Sequence, residues 1–192
     1  TLIIAPACGQ FCLNCLPDLA SHEHSSTNGS RVGLIRKSRA VNEKTDKMKK
    51  LSVVAFNGSP HKDGNTSILI RHILTELERE DIHTECIQIG GQLIRGCSDC
   101  RKCFENKDMQ CVFQDDCVNE CIHKIVNADG IILGSPVYFL DITPEMKTLI
   151  DRAGLVARAN NGPFRRKVGA AVTAVRRSGA THTIDTMLHF ML

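Results

Sequence analysis

The sequence predicts an α/β fold, a doubly wound parallel sheet with helices on both faces. From residue 51 onward, short apolar runs alternate with segments of helical periodicity, which is typical of this class. The first apolar run is continuous, as in a strand that is buried on both faces. Polar loops containing glycine follow the first and third runs, and parallel sheets bind ligands at such carboxyl ends.

The first half of this sheet is predicted between residues 51 and 89. Leu51–Phe56 is a short apolar run and the first strand. Helical periodicity extends from Thr66 to Glu80, with an apolar stripe of Leu69, Ile70, Ile73, Leu74 and Leu77. Ile82–Ile89 alternates apolar and polar residues and is predicted as the second strand.

The second half repeats the alternation. Asp115 or Asp116 can cap a helix whose apolar face carries Val118, Ile122 and Ile125. Gly130–Gly134 is a short third strand, and the Thr143–Pro144 pair is typical of a helix start. That helix should turn Met146, Leu149, Ile150 and Ala153 inward. Val168–Val175 is the fourth strand, and a last helix should carry Ile184, Met187, Leu188 and Met191.

The chain divides into two segments. We expect residues 1–47 to form a polar, disordered extension with a cysteine-rich start, and residues 48–192 to form a C-terminally incomplete main domain. The polar stretch Ser21–Lys50 has no periodicity. Cys8, Cys12 and Cys15 are compatible with a small zinc site and equally with a disordered arm, so no function is assigned to them.

Composition excludes several classes of function. A formal charge of +3, no Trp and a single Tyr argue against nucleic-acid binding. No apolar run reaches membrane-spanning length, so no membrane association is predicted, and we identify no signal peptide. Ten cysteines in such a chain indicate reduced thiols and a cytoplasmic location.

Four cysteines, Cys97, Cys100, Cys103 and Cys111, follow the pattern C-x2-C-x2-C-x7-C. Three thiolates two residues apart can wrap one corner of a cuboidal cluster, and a fourth can close the site, which favours [4Fe–4S]. Zinc more often shows two separate C-x-x-C pairs, and a site without metal is the third alternative.

The first loop, residues 57–67, joins a strand to a helix start. Its glycines permit close backbone approach, the helix offers free N–H groups to an anion, and neutral donors surround them: Ser59, Asn65, Thr66 and Ser67. It is neither a Walker A loop nor a dinucleotide-binding turn. Such a cradle suits a monophosphate like that of FMN; the alternative is a simple turn and helix cap.

The second loop, residues 134–143, contains two adjacent aromatic residues, Tyr138 and Phe139. After a buried strand, these rings could line a flat heteroaromatic ligand. The alternative is that they only cover the core.

Taken in order, GSPHKDGNT, CSDCRKCFENKDMQC followed by Asp115 and Asp116, and GSPVYFLDITPEMKTLIDRAG resemble the iron–sulfur flavoprotein branch of the NADPH-dependent FMN reductases. The resemblance covers roughly residues 48–192. It implies a flavodoxin-like fold that carries FMN and a [4Fe–4S] cluster and works as a homodimer or a dimer of dimers. It further implies that the four cysteines hold the cluster.

The resemblance also implies the flavin-binding residues. The first loop would hold the phosphate, the second would flank the isoalloxazine, and a third loop, residues 176–179, would complete the site. The candidates are Ser59, Pro60, His61, Gly64, Asn65, Thr66, Ser67, Pro136, Val137, Tyr138, Phe139, Arg176, Arg177, Ser178 and Gly179. No catalytic side chain is expected, because N5 of the flavin takes the hydride.

One departure from the family is large. Its members continue through a fifth strand and helix, for which we find no residues after the fourth strand. We therefore expect a sheet that lacks its last strand and helix and leaves an edge unpaired.

The predicted function is that of an FMN-dependent oxidoreductase passing electrons between NAD(P)H or ferredoxin and an acceptor. The alternatives are a non-catalytic flavodoxin-like electron carrier and a zinc-binding interaction module. The basic run Arg165–Lys167 could bind the extra phosphate of NADPH, and the alternative is that it is a solvated surface. Cys86, in the second strand, is predicted to be a core residue. The sequence does not distinguish NADH from NADPH.

Overall fold

The structure is a computed structural model that describes residues 2–6, by their backbone, and residues 50–192. The rest of the predicted extension, including Cys8, Cys12 and Cys15, lies outside the described residues. Its disorder stays a prediction.

Every strand and helix predicted after residue 50 is present. In chain order the elements are β1 (Leu2–Pro6), β2 (Ser52–Asn57), α1 (Asn65–Arg79), β3 (His83–Gln88), α2 (Lys102–Asn106), α3 (Val118–Asn127), β4 (Gly130–Pro136), α4 (Pro144–Ala159), β5 (Val168–Ala174) and α5 (Ala180–Met191). The sequence predicted neither β1 nor the short helix α2. No helix in the described part of the chain is both long and apolar enough to cross a membrane.

The strands form one sheet in the order β1-β5-β4-β2-β3. Strands β2 to β5 pair in parallel, with Val54 opposite Ile131 and Ile132 opposite Ala170. The order reverses between β2 and β4, so the chain passes to opposite sides of β2, as in a doubly wound sheet. The predicted α/β fold is confirmed.

Successive residues of the central strands point to opposite faces and build two cores. On one face, Val54, Phe56 and Leu133 pack with buried residues of α3, α4 and α5. On the other face, Ala55 and Ile132 join a smaller core that includes Ile70 and Leu74 of α1. Both faces of the sheet are covered, which explains the apolar character of β2 and β4.

The outer edge of β5 is paired, contrary to the expectation of an open edge. β1 runs antiparallel to β5, from Leu2 opposite Val172 to Pro6 opposite Val168. Among residues 50–192 no strand follows β5, as predicted, but the place beside it is taken by residues assigned to the polar extension. Their backbone supplies the hydrogen bonds that an edge strand otherwise lacks.

β3 forms the opposite edge of the sheet, and this changes the interpretation of Cys86. The prediction that Cys86 is a core residue is wrong, because its side chain is exposed. An outermost strand has a neighbour on one side only, so the helix layer covers it incompletely.

The end of β3 packs closely on the first loop. An added Cβ at Gly90 would lie 2.3 Å from the carbonyl carbon of Ser59 and 2.4 Å from the oxygen of Gly58. Both are backbone atoms, which cannot move aside as the end of a flexible side chain can. A residue without a side chain is therefore needed where β3 leaves the sheet.

Gly90→Ala should lower the free energy of unfolding by roughly 1–3 kcal/mol, since the methyl group forces backbone apart. Thermal unfolding followed by circular dichroism measures the change. Gly96→Ala is the matched control, because an added Cβ there meets no heavy atom within 4 Å. Equal melting temperatures for the two variants would contradict this account of Gly90.

Candidate functional site

The first, second and third loops meet at the carboxyl edge of the sheet. Gly58 N–H donates to the carbonyl of Gly134 at 2.7 Å, joining the first loop to the end of β4. Val137 N–H donates to the carbonyl of Ala174 at 3.2 Å, joining the second loop to the end of β5. Parallel strands place these three loops together, as the sequence analysis expected.

Side chains from two adjacent strand ends fix the first loop. Asn57 Nδ2 donates to Gln88 Oε1 at 2.8 Å, and Asn57 Oδ1 accepts the N–H of Ser59 at 3.0 Å. Gln88 Nε2 donates to the carbonyls of Ser59 and Gly90. Asn57 and Ser59 are buried. The sequence analysis missed Gln88, whose only signal was a polar residue at the end of a strand.

The first loop delivers the chain to the start of α1. Gly64 is the N-cap in an extended conformation, no side chain of the described residues caps the helix, and its first turn holds no acidic residue. Thr66 and Ser67 are buried there, whereas Pro60, His61 and Asn65 are exposed. The first N–H groups of a helix lack intrahelical acceptors, so this arrangement can accommodate an anion.

The second loop is a tight hairpin that presents its aromatic residues to solvent. Tyr138 N–H donates to the carbonyl of Asp141 at 2.8 Å, and Asp141 N–H donates to the carbonyl of Tyr138 at 3.1 Å. Phe139 and Leu140 between them have φ of 45° and 74°, a strained conformation for residues other than glycine. Phe139 is 102% exposed and Tyr138 44% exposed. The alternative that these rings cover the core is wrong.

Asp141 ties this hairpin to α5. Its carboxylate accepts the N–H of Ile142 at 2.7 Å and the hydroxyl of Thr186 at 2.9 Å, and lies 3.4 Å from His182 Nε2. Burial by itself raises the pKa of Asp141, but these hydrogen bonds and the His182 charge outweigh it, so the pKa is lowered. The carboxylate therefore stays ionised and holds the hairpin.

The second and third loops enclose a hollow of ≈ 330 Å³. Among the described residues it is lined by Val137, Phe139, Leu140, Val175, Arg176, Arg177 and Ser178. Gly179 packs against two residues of its wall: its φ is 93°, and an added Cβ would lie 2.8 Å from both Leu140 Cα and Val137 Cγ1. Of the predicted residues, the hollow thus brings together Val137, Phe139, Arg176, Arg177 and Ser178; Pro136, Tyr138, Gly179 and the candidates of the first loop are not among the residues that line it.

The four predicted cysteines line a second hollow. Cys97 and Cys100 are exposed, Cys103 and Cys111 are half-buried, and Arg152, Leu155 and Val156 of α4 complete one wall. Within residues 2–6 and 50–192, no three His, Cys, Asp or Glu side chains converge on one metal ion. Four thiols placed around a shared hollow fit, as a donor set, a group with several metal atoms.

Local backbone geometry winds the cysteine loop tightly. Asp99, Arg101, Lys107 and Met109 all have φ between 51° and 64°. Cys103 lies in α2 between these turns, and Asp99 N–H donates to Cys97 Sγ at 3.4 Å. Burial is the main cause that raises the pKa of the Cys103 thiol.

Two asparagines hold the far end of the cysteine loop. Asn119 of α3 accepts the N–H of Cys111 at 2.7 Å and donates to the carbonyls of Cys111 and Phe113, each at 2.9 Å. Asn160 accepts the N–H of Met109 at 3.3 Å. These amides satisfy loop backbone that has no partner in a strand or helix.

A buried ion pair lies behind the cysteine hollow. The side chains of Arg152 and Asp116 are 0% and 3% exposed and in direct contact. Arg152 also donates to the carbonyls of Arg95 at 3.0 Å and Phe113 at 3.1 Å, and its Nε donates to Cys111 Sγ at 3.3 Å. The sequence analysis missed Arg152, although it lies three residues after Leu149 on the inward face of α4.

Asp116 has a second role in the same network. Its carboxylate accepts the N–H of Val118, the first residue of α3, at 3.1 Å and the N–H of Arg95 at 3.3 Å. The N-cap of α3 is Cys117 rather than the predicted Asp115 or Asp116. Burial alone raises the pKa of Asp116, but the Arg152 hydrogen bond and these two N–H groups outweigh it and lower the pKa.

Other predicted residues lie elsewhere. Two cysteines after the loop pack in the interior: Cys121 is buried in the core, and Cys117 is half-buried and packs against it. Arg165–Lys167 precede β5 and so lie at the opposite edge of the sheet from the three loops. Lys167 Nζ donates to the carbonyls of Val126 and Ala128 at the end of α3. This placement argues against a nucleotide phosphate there.

Known proteins match the part of the chain that carries these motifs. A family model described as NADPH-dependent FMN reductase matches residues 51–192. An iron–sulfur flavoprotein of Methanocaldococcus jannaschii is 38% identical over 144 residues, 74% of this chain and 72% of that protein. One from Archaeoglobus fulgidus is 37% identical over 142 residues, 74% and 62% of the two chains. One from Methanosarcina thermophila is 31% identical over 143 residues, 73% of each.

A solved structure supports the fold. RosB, crystallised with a bound 8-demethyl-8-formylriboflavin-5'-phosphate intermediate, is 19% identical with a TM-score of 0.50, covering 73% of this chain and 58% of that one. The chain therefore spans less than two thirds of RosB and of the Archaeoglobus relative.

Asp116→Asn should lower the free energy of unfolding by roughly 3 kcal/mol near pH 7, because Arg152 loses its buried counter-charge. The wild-type carboxylate has a folded pKa below its usual 3.8. Its stabilisation is therefore fully present above pH 3.8 and is lost as the pH falls through the lower folded value.

Urea unfolding at a series of pH values measures this difference, which should shrink only below about pH 4. Asp115→Asn is the control, since Asp115 is an exposed neighbour of the same charge. A difference that is constant from pH 7 to pH 3 would contradict the ion-pair account.

Proposed function

The chain belongs to the NADPH-dependent FMN reductase family of flavoprotein oxidoreductases, and on this premise we propose that it passes electrons between NAD(P)H or ferredoxin and an acceptor through FMN and a [4Fe–4S] cluster. One observation carries the proposal. The second and third loops line an open hollow at the carboxyl edge of the sheet, where the first loop is joined to the end of β4, while all four cysteines of one loop line a second hollow.

The residues around the first hollow fit FMN. The uncapped start of α1 with Ser59, Thr66 and Ser67 would hold the phosphate, and Asn57 with Gln88 keeps that backbone in place. Val137, Tyr138 and Phe139 would flank the ring, with Pro136 and Gly179 shaping the loops behind them. Bound FMN supplies hydride chemistry together with one-electron exchange.

Charge and exposure at this hollow suit a nucleotide donor. Arg176 and Arg177 are exposed on its wall and attract anionic groups of a flavin or a nicotinamide nucleotide. The first hollow opens to solvent, which leaves room for a small-molecule donor or acceptor. No side chain of the hollow has to act as an acid or base, so these residues bind and orient.

Cys97, Cys100, Cys103 and Cys111 would hold the cluster. An all-cysteine set around one hollow is the donor chemistry of [4Fe–4S] groups, which exchange single electrons. Two of the four thiols are exposed, so one side of the site is open to a partner.

The second loop and the cysteine hollow lie at different positions along α4. The helix begins at Pro144, next to the second loop, and its Leu155 lines the cysteine hollow. At ~1.5 Å per residue, these positions are about 16 Å apart along the axis. A homodimer or dimer of dimers in which the cysteine loop of one subunit faces the flavin loops of another shortens this path, and we propose such an assembly.

Anaerobic purification with FMN and iron counted per chain tests the proposal. We expect about one FMN and about four iron atoms per chain, with broad visible absorbance, and NAD(P)H oxidation when an acceptor is added. Both cofactors without turnover would favour the non-catalytic carrier. Colourless protein containing zinc would favour the interaction module and overturn the proposal.

Cys100→Ser should abolish the broad cluster absorbance and leave the flavin bands, because serine removes one thiolate ligand. Iron analysis and the visible spectrum measure this. Cys86→Ser is the matched control, an exposed cysteine on β3 outside the loop. A cluster signal in Cys100→Ser as strong as in the control would defeat the ligand assignment.

Gly179→Ala should weaken FMN binding by about tenfold or more. The added methyl group meets Val137 and Leu140 at 2.8 Å, and the left-handed φ of 93° adds strain of roughly 1–3 kcal/mol. Fluorescence titration of the apoprotein with FMN gives the dissociation constant. Gly154→Ala, with ordinary contacts to Phe190 at 3.7 Å, is the control; equal affinities would contradict flavin binding at this hollow.

A further inference from the structure

Arg152 makes more contacts than its ion pair requires. Its guanidinium reaches Asp116 and the carbonyls of Arg95 and Phe113, and these acceptors come from the two ends of the cysteine loop. Its Nε donates to Cys111 Sγ at 3.3 Å. One buried side chain of α4 thus connects the frame of the loop to one of its thiols.

Stability alone does not explain an arginine here. Burying two charges costs about as much solvation energy as the pair returns, and well-packed apolar residues are often as stable. An apolar side chain would provide no hydrogen bond for sulfur. The donor to Cys111 and the fixed positive charge behind it are the properties that only the arginine brings.

A hydrogen bond to a metal-bound sulfur has a known electrostatic consequence. One-electron reduction adds one unit of negative charge to the sulfur-bound group, with no bond broken and no proton taken up. An N–H donor and a nearby cation stabilise that added charge, which raises the reduction potential.

We propose that Arg152 is a positioning residue of the cysteine site that sets the reduction potential of the group held by Cys111. The inference rests on the proposed function, since it assumes that the four cysteines bind an iron–sulfur cluster. Phe113 supports it, because its ring centroid lies 4.2 Å from the Arg95 guanidinium carbon and 5.5 Å from that of the fully buried Arg152, so the ring packs on this side of the guanidinium.

Two variants separate this role from a merely structural one. Arg152→Lys keeps a cation for Asp116, but one ammonium group cannot reach all of the arginine's acceptors together with Cys111. Asp116→Asn disturbs the same pair while it leaves the Nε–H donor and the positive charge in place. Both variants should unfold more easily than wild type. If Arg152 had only a structural role, the two variants should therefore change in the same direction.

The reduction potential of the cluster should distinguish the two variants. Anaerobic potentiometric titration, monitored by electron paramagnetic resonance, should show Arg152→Lys reduced about tenfold less readily, a fall of about 59 mV for one electron. Asp116→Asn should be unchanged or more readily reduced, because it removes a negative charge. Arg158→Gln, exposed on the same helix, should match wild type.

Each outcome decides between the proposals. If the cluster has the same reduction potential in Arg152→Lys as in wild type, this inference is overturned and the proposed function is unaffected. Wild-type protein that holds no iron after anaerobic reconstitution overturns both. If Arg152→Lys does not fold, Asp116→Asn carries the test alone, and a fall in its potential contradicts the role assigned to Arg152.

Discussion

The Arg152–Asp116 pair is the interaction on which the arrangement of the cysteine site depends. Three segments distant in sequence meet at these two side chains: the chain after β3, the stretch from the end of the cysteine loop to the start of α3, and the middle of α4. The loop between Cys97 and Cys111 contains only the short helix α2, so it cannot rely on ladder hydrogen bonds. A multidentate guanidinium replaces them, since it can satisfy several carbonyls at once.

The first, second and third loops depend on a different constraint, the parallel sheet. Strands β2, β4 and β5 all end at one edge, so the loops that follow them meet without any special sequence signal. Side chains then refine the positions. Asn57 and Gln88 hold the first loop, Asp141 holds the hairpin of the second, and Gly179 admits the second loop against the third. The backbone is fixed before any ligand enters, which lowers the entropic cost of binding.

The sheet also shows how an edge can be completed by unexpected residues. In a doubly wound sheet the strand beside β5 usually comes later in the chain and runs parallel to its neighbours. Here β1 occupies that place in the antiparallel direction. Backbone pairing depends little on side-chain identity, so a short segment far away in sequence can fill the position. For the same reason, no side-chain pattern in residues 2–6 predicted that this segment would pair with β5.

The sequence by itself determined the class of fold and the family, and it predicted two kinds of site. Periodicity sufficed for β2 to β5 and for the long helices, because strand and helix burial leave repeats of fixed length. The spacing of the four cysteines and the order of the loop motifs sufficed for the family resemblance, which the comparisons confirmed. The ligand assignments themselves stay predictions, since spacing states which atoms are available and not what they bind.

Only the tertiary structure decided which partners these residues have. Arg152 follows the inward face of α4 in sequence, yet its importance comes from Asp116 and Cys111, which lie 36 and 41 residues away. Cys86 alternated like a core residue, but the position of β3 at the edge exposes it. The sequence left open whether Tyr138 and Phe139 cover the core or face solvent, and the hairpin of the second loop exposes both. Long-range contacts depend on how elements pack, and local patterns of polarity do not encode that packing.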